Sequence, residues 1–180
     1  MPSYIFQSER LGFRHWVNDD IVPFAEMCND PLVMEFFPKK LTLQETNALI
    51  ERIKKHFIEK GYGLYAVDRL NTQTFIGFIG FATPGFEAYF TPCVEIGWRL
   101  KKESWDQGFA TEGALKCLEY GFQQLNFQDV FSFTSEINQR SIRVMQKIGM
   151  QKVGTFDHPL VEEGSKLRKH VLYKISNALQ

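Results

Sequence analysis

Residues Glu95–Thr111, EIGWRLKKESWDQGFAT, decide how the rest of this chain is read. They read as a strand, a loop carrying one glycine at Gly108, and the opening turn of a helix. The first turn of a helix leaves about four backbone N–H groups unpartnered. The helix macrodipole adds partial positive charge at the same end. A glycine lets the backbone approach a ligand closely, so Gln107, Gly108, Phe109, Ala110 and Thr111 can offer amides to a diphosphate. Lys101 and Lys102 add charge nearby. The alternative is that Gly108 is an ordinary loop residue beside a helix start.

Downstream, the helix is predicted over Gly108 to Leu125, with Ala110, Ala114, Leu118, Phe122 and Leu125 as its apolar stripe. A short strand, Val130 to Thr134, follows. Asn138 caps a last helix with Ile142, Met145 and Ile148 inward and Gly149 at its end. Val153 to Phe156 and His170 to Ile175 supply the final strands.

Upstream, Tyr4 to Arg14 reads as a first strand. Asn18, Asp19 or Asp20 caps a helix whose Ile21, Phe24, Ala25 and Cys28 share a face. Asn29-Asp30-Pro31 breaks that helix, and Val33 to Phe37 reads as a short helical turn. Thr42-Leu43-Gln44-Glu45 is a capping box. It opens a helix with Leu49, Ile53 and Phe57 on one face, stopped by Gly61. Leu64 to Arg69 and Thr74 to Phe81 form an antiparallel hairpin turning near Asn71. GFIGFA at 77–82 completes no GxGxxG and precedes no helix, which excludes a dinucleotide fingerprint. Cys93 to Leu100 is the next strand. The order is mixed α/β, a meander followed by strand-helix-strand units, in one domain spanning residues 1–180.

The chain of 180 residues is 44% hydrophobic, and its 21 basic and 21 acidic residues cancel, which argues against a nucleic-acid binder working through a basic surface. Cys28, Cys93 and Cys117 show no metal-ligand spacing and read as reduced thiols of a cytoplasmic protein. Neither a long apolar run nor a basic-then-apolar leader occurs, so no membrane contact is expected. The 17 phenylalanines are core, or in part the lining of an apolar cleft.

Trp105-Asp106-Gln107-Gly108-Phe109-Ala110 resembles the Q/R-x-x-G-x-G/A loop of the GNAT acetyltransferases, with Trp105 where Gln or Arg is commonest. EIGWRL with SWDQGFATEGALKCLEYGF is similar to the RimJ/RimL-like branch. So are ERLGFRHW (9–16), DPLVMEFFP (30–38), NQRSIRVMQKIGM (138–150) and HPLVEEGSKLRKHVLY (158–173). The resemblance implies the GNAT fold, a mostly antiparallel mixed sheet of six or seven strands flanked by helices. It implies an N-acetyltransferase using acetyl-CoA and a primary amine, a peptide N-terminus or a small molecule, without metal. The alternative is a non-catalytic acetyl-CoA-binding module. A monomer or a homodimer is expected.

The same resemblance assigns residues. The pantetheine arm is expected along Ile96, Gly97, Trp98, Arg99 and Leu100. The diphosphate is expected on the amides of Gln107, Gly108, Phe109, Ala110 and Thr111. Asn138 and Ser141 fall near the sulfur, and a bulge near Ile96 to Trp98 would hold the oxyanion. Glu95 matches the general base, or is a strand-edge carboxylate in a salt bridge. The tyrosine that many relatives carry as acid is replaced by Met145, leaving Ser141 as proton donor or as a helix cap. Arg140 and Arg143 reach nucleotide phosphates or stay solvated. His15, His56, His158 and His170 are spare candidates. Phe36, Phe37, Phe86, Tyr89 and Phe90 suggest an aromatic acceptor pocket, or else core. An α-amine of pKa about 7.7–8.0 costs roughly 1 kcal/mol to deprotonate at neutral pH, a lysine roughly 4–5 kcal/mol, so a single carboxylate favours the α-amine.

Overall fold

The computed structural model describes residues 3–177 and arranges them around an eight-stranded sheet, ordered β1-β2-β3-β4-β5-β6-β8-β7. The strands are β1 (Phe6–Gln7), β2 (Leu11–Arg14), β3 (Leu64–Arg69), β4 (Thr74–Ala82), β5 (Glu95–Leu100), β6 (Asp129–Ser135), β7 (Gln151–Asp157) and β8 (Lys169–Ser176). The helices are α1 (Ile21–Asn29), α2 (Leu43–Lys60), α3 (Phe109–Gln123) and α4 (Gln139–Lys147). The mixed α/β class and mostly antiparallel sheet match expectation. The extra strand arises where Tyr4–Arg14 folds back on itself: Ser8 N donates to Leu11 O at 2.9 Å, making β1 and β2 a hairpin.

Each face of the sheet carries helices. On one, Phe109, Ala114, Cys117 and Leu118 of α3 and Ile142 and Met145 of α4 pack on Ile79, Phe81, Ile96, Val130, Val171 and Tyr173. On the other, Phe24 and Cys28 of α1 and Ile50 and Ile53 of α2 pack on Trp16, Ala66 and Phe78. The capping box of α2 forms in both directions, Glu45 N to Thr42 Oγ1 at 3.2 Å and Thr42 N to Glu45 Oε2 at 2.9 Å. Gly61 ends that helix in the left-handed region. The segment expected as a short helical turn, Val33–Phe37, holds isolated helix-type bonds, Met34 N to Asp30 O at 3.0 Å and Phe37 N to Met34 O at 3.0 Å, within a run of turns that does not extend into a helix. Asp30 Oδ1 caps that turn, accepting from Leu32 N at 2.7 Å and Val33 N at 3.3 Å.

Arg14 lies buried between two carboxylates. It meets Asp20 through Nη1 at 2.7 Å and Asp68 through Nε at 2.7 Å, tying the start of α1 to β2 and β3.

One junction of the sheet differs from the rest. β5 pairs with β4 along its whole length, from Ala82 opposite Glu95 to Gly77 opposite Leu100. Toward β6, its parallel neighbour, a single pair forms, Glu95 opposite Phe131. Phe131 N donates to Val94 O at 2.9 Å, and Ser132 Oγ to Ile96 O at 2.9 Å. Beyond that point the strands separate.

Candidate active site

Where β5 and β6 separate, a cavity of about 500 Å³ opens through the sheet. Every second backbone N–H and C=O of an antiparallel strand points away from its partner. For β5 those groups, with β4 occupied on the other side, point into the opening. The register with β4 is continuous, so the bulge expected near Ile96–Trp98 is absent. The splay frees the amides that a bulge would have freed.

The loop after β5 aims α3 at this cavity. Gly108 caps the helix at φ 80°, ψ 1°, a left-handed conformation that glycine adopts without strain, and no side chain caps the turn. The helical ladder begins at Glu112 N to Gly108 O, leaving the amides of Phe109, Ala110 and Thr111 without intrahelical acceptors. Trp105 pins the loop by donating Nε1 to Leu100 O at 2.9 Å, and Arg140 of α4 stacks on its ring at 4.3 Å. Arg140, Arg143 and Lys147 line the cavity from α4. Among the described residues none of the three has an ion-pair partner. The opening beside α3 is therefore electropositive.

Asn138 organises the start of α4. Its Oδ1 accepts from Ser141 N at 3.3 Å, while its Nδ2 donates to Thr134 Oγ1 at 2.9 Å and Ser141 Oγ at 3.1 Å. The cap is thus Asn138. Ser141 Oγ accepts that bond on the cavity wall.

Glu95, Gly97 and Arg99 alternate with Ile96, Trp98 and Leu100 along β5. Ile96 and Leu100 belong to the core on the α3 side, so Glu95 and Arg99 face the α1–α2 side. Among the described residues no hydrogen bond or ion pair meets the Glu95 carboxylate. Burial raises its pKa to about 8. The expected alternative of a strand-edge salt bridge is not what forms.

These features sit in a chain whose kin are recognisable. The model of the acetyltransferase (GNAT) domain matches residues 10–151. The chain belongs to the GNAT acetyltransferases. It is 29% identical to the uncharacterized N-acetyltransferase YnaD of Bacillus subtilis, over 83% of this chain and 84% of that protein. A solved GNAT-family acetyltransferase from Bacillus anthracis superposes with a TM-score of 0.78 at 25% identity, covering 94% and 96% of the two chains. Spermidine N-acetyltransferase from Vibrio cholerae, solved with CoA and spermine, shares the fold at a TM-score of 0.73 and 17% identity, covering 93% and 95%.

In this GNAT acetyltransferase the cavity gathers nearly all the residues singled out from sequence: Glu95 through Leu100, Gly108 through Thr111, Asn138 and Ser141. Gln107 is the exception. It is exposed, and its Nε2 turns back to Glu103 O at 2.7 Å. Met145 is buried against the core beneath the cavity. Of the aromatic set, Phe36 and Phe37 line the cavity. Phe86 and Phe90 stack behind it on Phe133 and Phe156, and Tyr89 is exposed. His56 is a packed residue bonded to Tyr62 O at 2.8 Å, and His15 packs on Phe57.

Two features were not legible in the sequence: the pairing of two of the spare histidines and the setting of the Arg99 side chain. His158 and His170 line the cavity with ring centroids 4.8 Å apart. Burial, then the charge of His170, pushes His158 down to about 4, and burial also lowers His170. Both are neutral near pH 7. The other is the side chain of Arg99, which donates Nη1 to Cys28 Sγ at 3.2 Å. Alternation along β5 puts Arg99 on the Glu95 face, but its contacts and the histidine pair need the tertiary fold.

Proposed function

We propose that this protein moves an acetyl group from acetyl-CoA to a primary amine by direct attack, the acceptor being a peptide N-terminus or a small-molecule amine. The observation that carries the reading is the single rung between β5 and β6, which opens a gap leading to the uncapped N-terminus of α3. Past the Ser132 bond to Ile96 O, the described residues line a cavity of about 500 Å³ there. The RimJ/RimL-like motifs along the chain agree with it.

The residues fit the coenzyme. Alternate backbone groups of the stretch from Ile96 to Leu100 point away from β4, and beyond the Ser132 bond to Ile96 O those of Trp98 are placed to pair with the amides of the pantetheine arm. The amides of Gly108 to Thr111, with Gln107 at the rim, face the diphosphate, and Arg140, Arg143 and Lys147 supply counter-charge. Acetyl-CoA contributes the thioester. The chain orients it, takes one proton and directs another.

Glu95 is the general base. A carboxylate with a pKa near 8 binds a proton far better than an ordinary one, which matches it to an α-amine of similar pKa once the pH approaches that value. The amine nitrogen bonds to the carbonyl carbon as its proton passes to Glu95 through water. A free N–H of β5 near Ile96 to Trp98 stabilises the oxyanion. As the C–S bond breaks, the Ser141 hydroxyl donates to the departing sulfur. Asn138 holds Ser141 by bonding to its Oγ as donor, which turns the hydroxyl hydrogen outward.

Three free thiols and balanced charge support a cytoplasmic protein, and no helix among the described residues is long and apolar enough to cross a membrane. The test pairs calorimetry of acetyl-CoA binding with free-thiol release against peptides and small amines. Binding with turnover is expected. Binding without turnover of any amine leaves only a coenzyme-binding module.

A further inference from the structure

The cavity continues past Glu95 on the α1–α2 side, and its walls there are apolar: Leu32, Val33, Phe36, Phe37, Leu160, Val161 and Leu167. One cation lies in that wall. The Arg99 guanidinium sits 4.0 Å over the Phe37 ring, 5.5 Å from Phe78 and 6.0 Å from Phe24. Its Nη1 donates to Cys28 Sγ, and its Nε is buried without a partner. The Cys28 thiol is held neutral because burial raises its pKa against the pull of Arg99. No carboxylate among the described residues pairs with Arg99. Arg99 is half-buried, and a guanidinium with a buried, unpartnered Nε and no carboxylate beside it carries a desolvation cost that an anion would offset. Gly97 lies between Glu95 and Arg99 on the same face. A Cβ there would meet nothing nearer than Glu95 Oε1 at 3.9 Å, so the floor between the two side chains is open.

Resting on the acetyl-transfer reading above, we propose that the acceptor carries a carboxylate, held by the Arg99 guanidinium while its amine lies at Glu95. Four residues along β5 separate the two Cα atoms by about 13 Å. An extended tripeptide spans about 10 Å from amine to carboxylate, a fitting length once water bridges the amine to Glu95. The neutral His158 and His170 on the opposite wall add no competing charge. A polyamine has the wrong sign, since its second ammonium would meet the guanidinium.

The experiment measures kcat/KM for Ala-Gly-Gly, for its C-terminal amide and for spermidine, with wild type, Arg99→Gln and Arg99→Met. Acetyl-CoA affinity is read separately by calorimetry. Wild type should prefer the free acid over the amide by about ten- to a hundredfold, the worth of a charge-assisted hydrogen bond. Both variants should lose that preference while still binding acetyl-CoA through the β5 backbone. Arg99→Met removes a half-buried cation that has no carboxylate partner among the described residues, so its melting temperature should equal or exceed that of wild type. Equal use of acid and amide by wild type, spermidine as the better acceptor, or a preference surviving in the variants overturns the proposal alone. Failure of wild type to bind acetyl-CoA overturns the transfer reading and this proposal with it.

Discussion

Glu95→Gln separates burial from catalysis. The wild-type carboxyl has no partner, and burial moves its pKa from 4.5 to about 8. At 1.36 kcal/mol per unit that gap is about 5 kcal/mol. Glu95 opens onto the cavity, where water restores part of its hydration, so about 2–3 kcal/mol is a fairer figure. The sign follows from proton binding. Below about pH 4.5 both folded and unfolded chains hold the proton, and the glutamine costs or gains little. Between pH 4.5 and about 8 the unfolded chain releases the proton while the folded chain keeps it, so wild type loses stability as pH rises. Above the folded value the loss is complete. Glutamine has no proton to release. At about 2–4 °C per kcal/mol for a chain of this size, Glu95→Gln should melt about 4–12 °C above wild type at high pH and level with it at low pH. Thermal unfolding monitored by circular dichroism across that range measures the gap. An offset independent of pH would show that Glu95 ionises as an ordinary carboxylate, and the base assignment would lose its physical ground. In kinetics, wild-type kcat/KM on a low-pKa amine should rise with a midpoint near pH 8, and the variant should lack that rise.

Three further outcomes are expected. Gly108→Trp places a side chain at φ 80° before the free amides of α3, so acetyl-CoA affinity should fall about tenfold or more, while the fold loses only about 1–2 kcal/mol; undiminished affinity measured by calorimetry would remove the loop from the coenzyme site. Ser141→Ala should lower kcat more than it weakens acetyl-CoA binding, and unchanged single-turnover rates would take Ser141 out of the proton path. Arg14→Met leaves Asp20 and Asp68 buried without their cation and should destabilise by about 3–5 kcal/mol in denaturant titrations; a loss of well under about 1 kcal/mol would mean that the network is not an energetic centre.

What the sequence disclosed depended on how local the signal was. The Thr42 capping box, the Gly61 stop and the Asn138 cap are chemistry within four residues, and each forms where expected. Helix faces were displaced by about one position. In α2 the buried residues are Thr46, Ile50 and Ile53, whereas Leu49 and Phe57 are half-buried. In α3 the hidden face is Gly113, Ala114, Cys117, Leu118 and Gly121. A hydrophobic stripe overlooks glycines, yet these two set the approach to the sheet: a Cβ at Gly113 would lie 2.3 Å from Ile79 Cδ1, and one at Gly121 2.8 Å from Phe81 Cζ. The coenzyme side was legible because β5, the Gly108 loop and α3 are contiguous. The acceptor side joins α1, β5, β6 and the loop before β8, and no local pattern announces that Arg99, Phe37, His158 and His170 line one cavity.

The lone Glu95–Phe131 rung leaves the eight strands as a five-stranded and a three-stranded sheet meeting at a hinge pin. Backbone bonding alone does not hold those halves in line. Ser132 and the packing of α3 and α4 do that work from the side. A molecule bonding along the exposed edge of β5 would act as the missing strand. Cargo and architecture would then be continuous, with the enzyme complete as a sheet only while it is loaded.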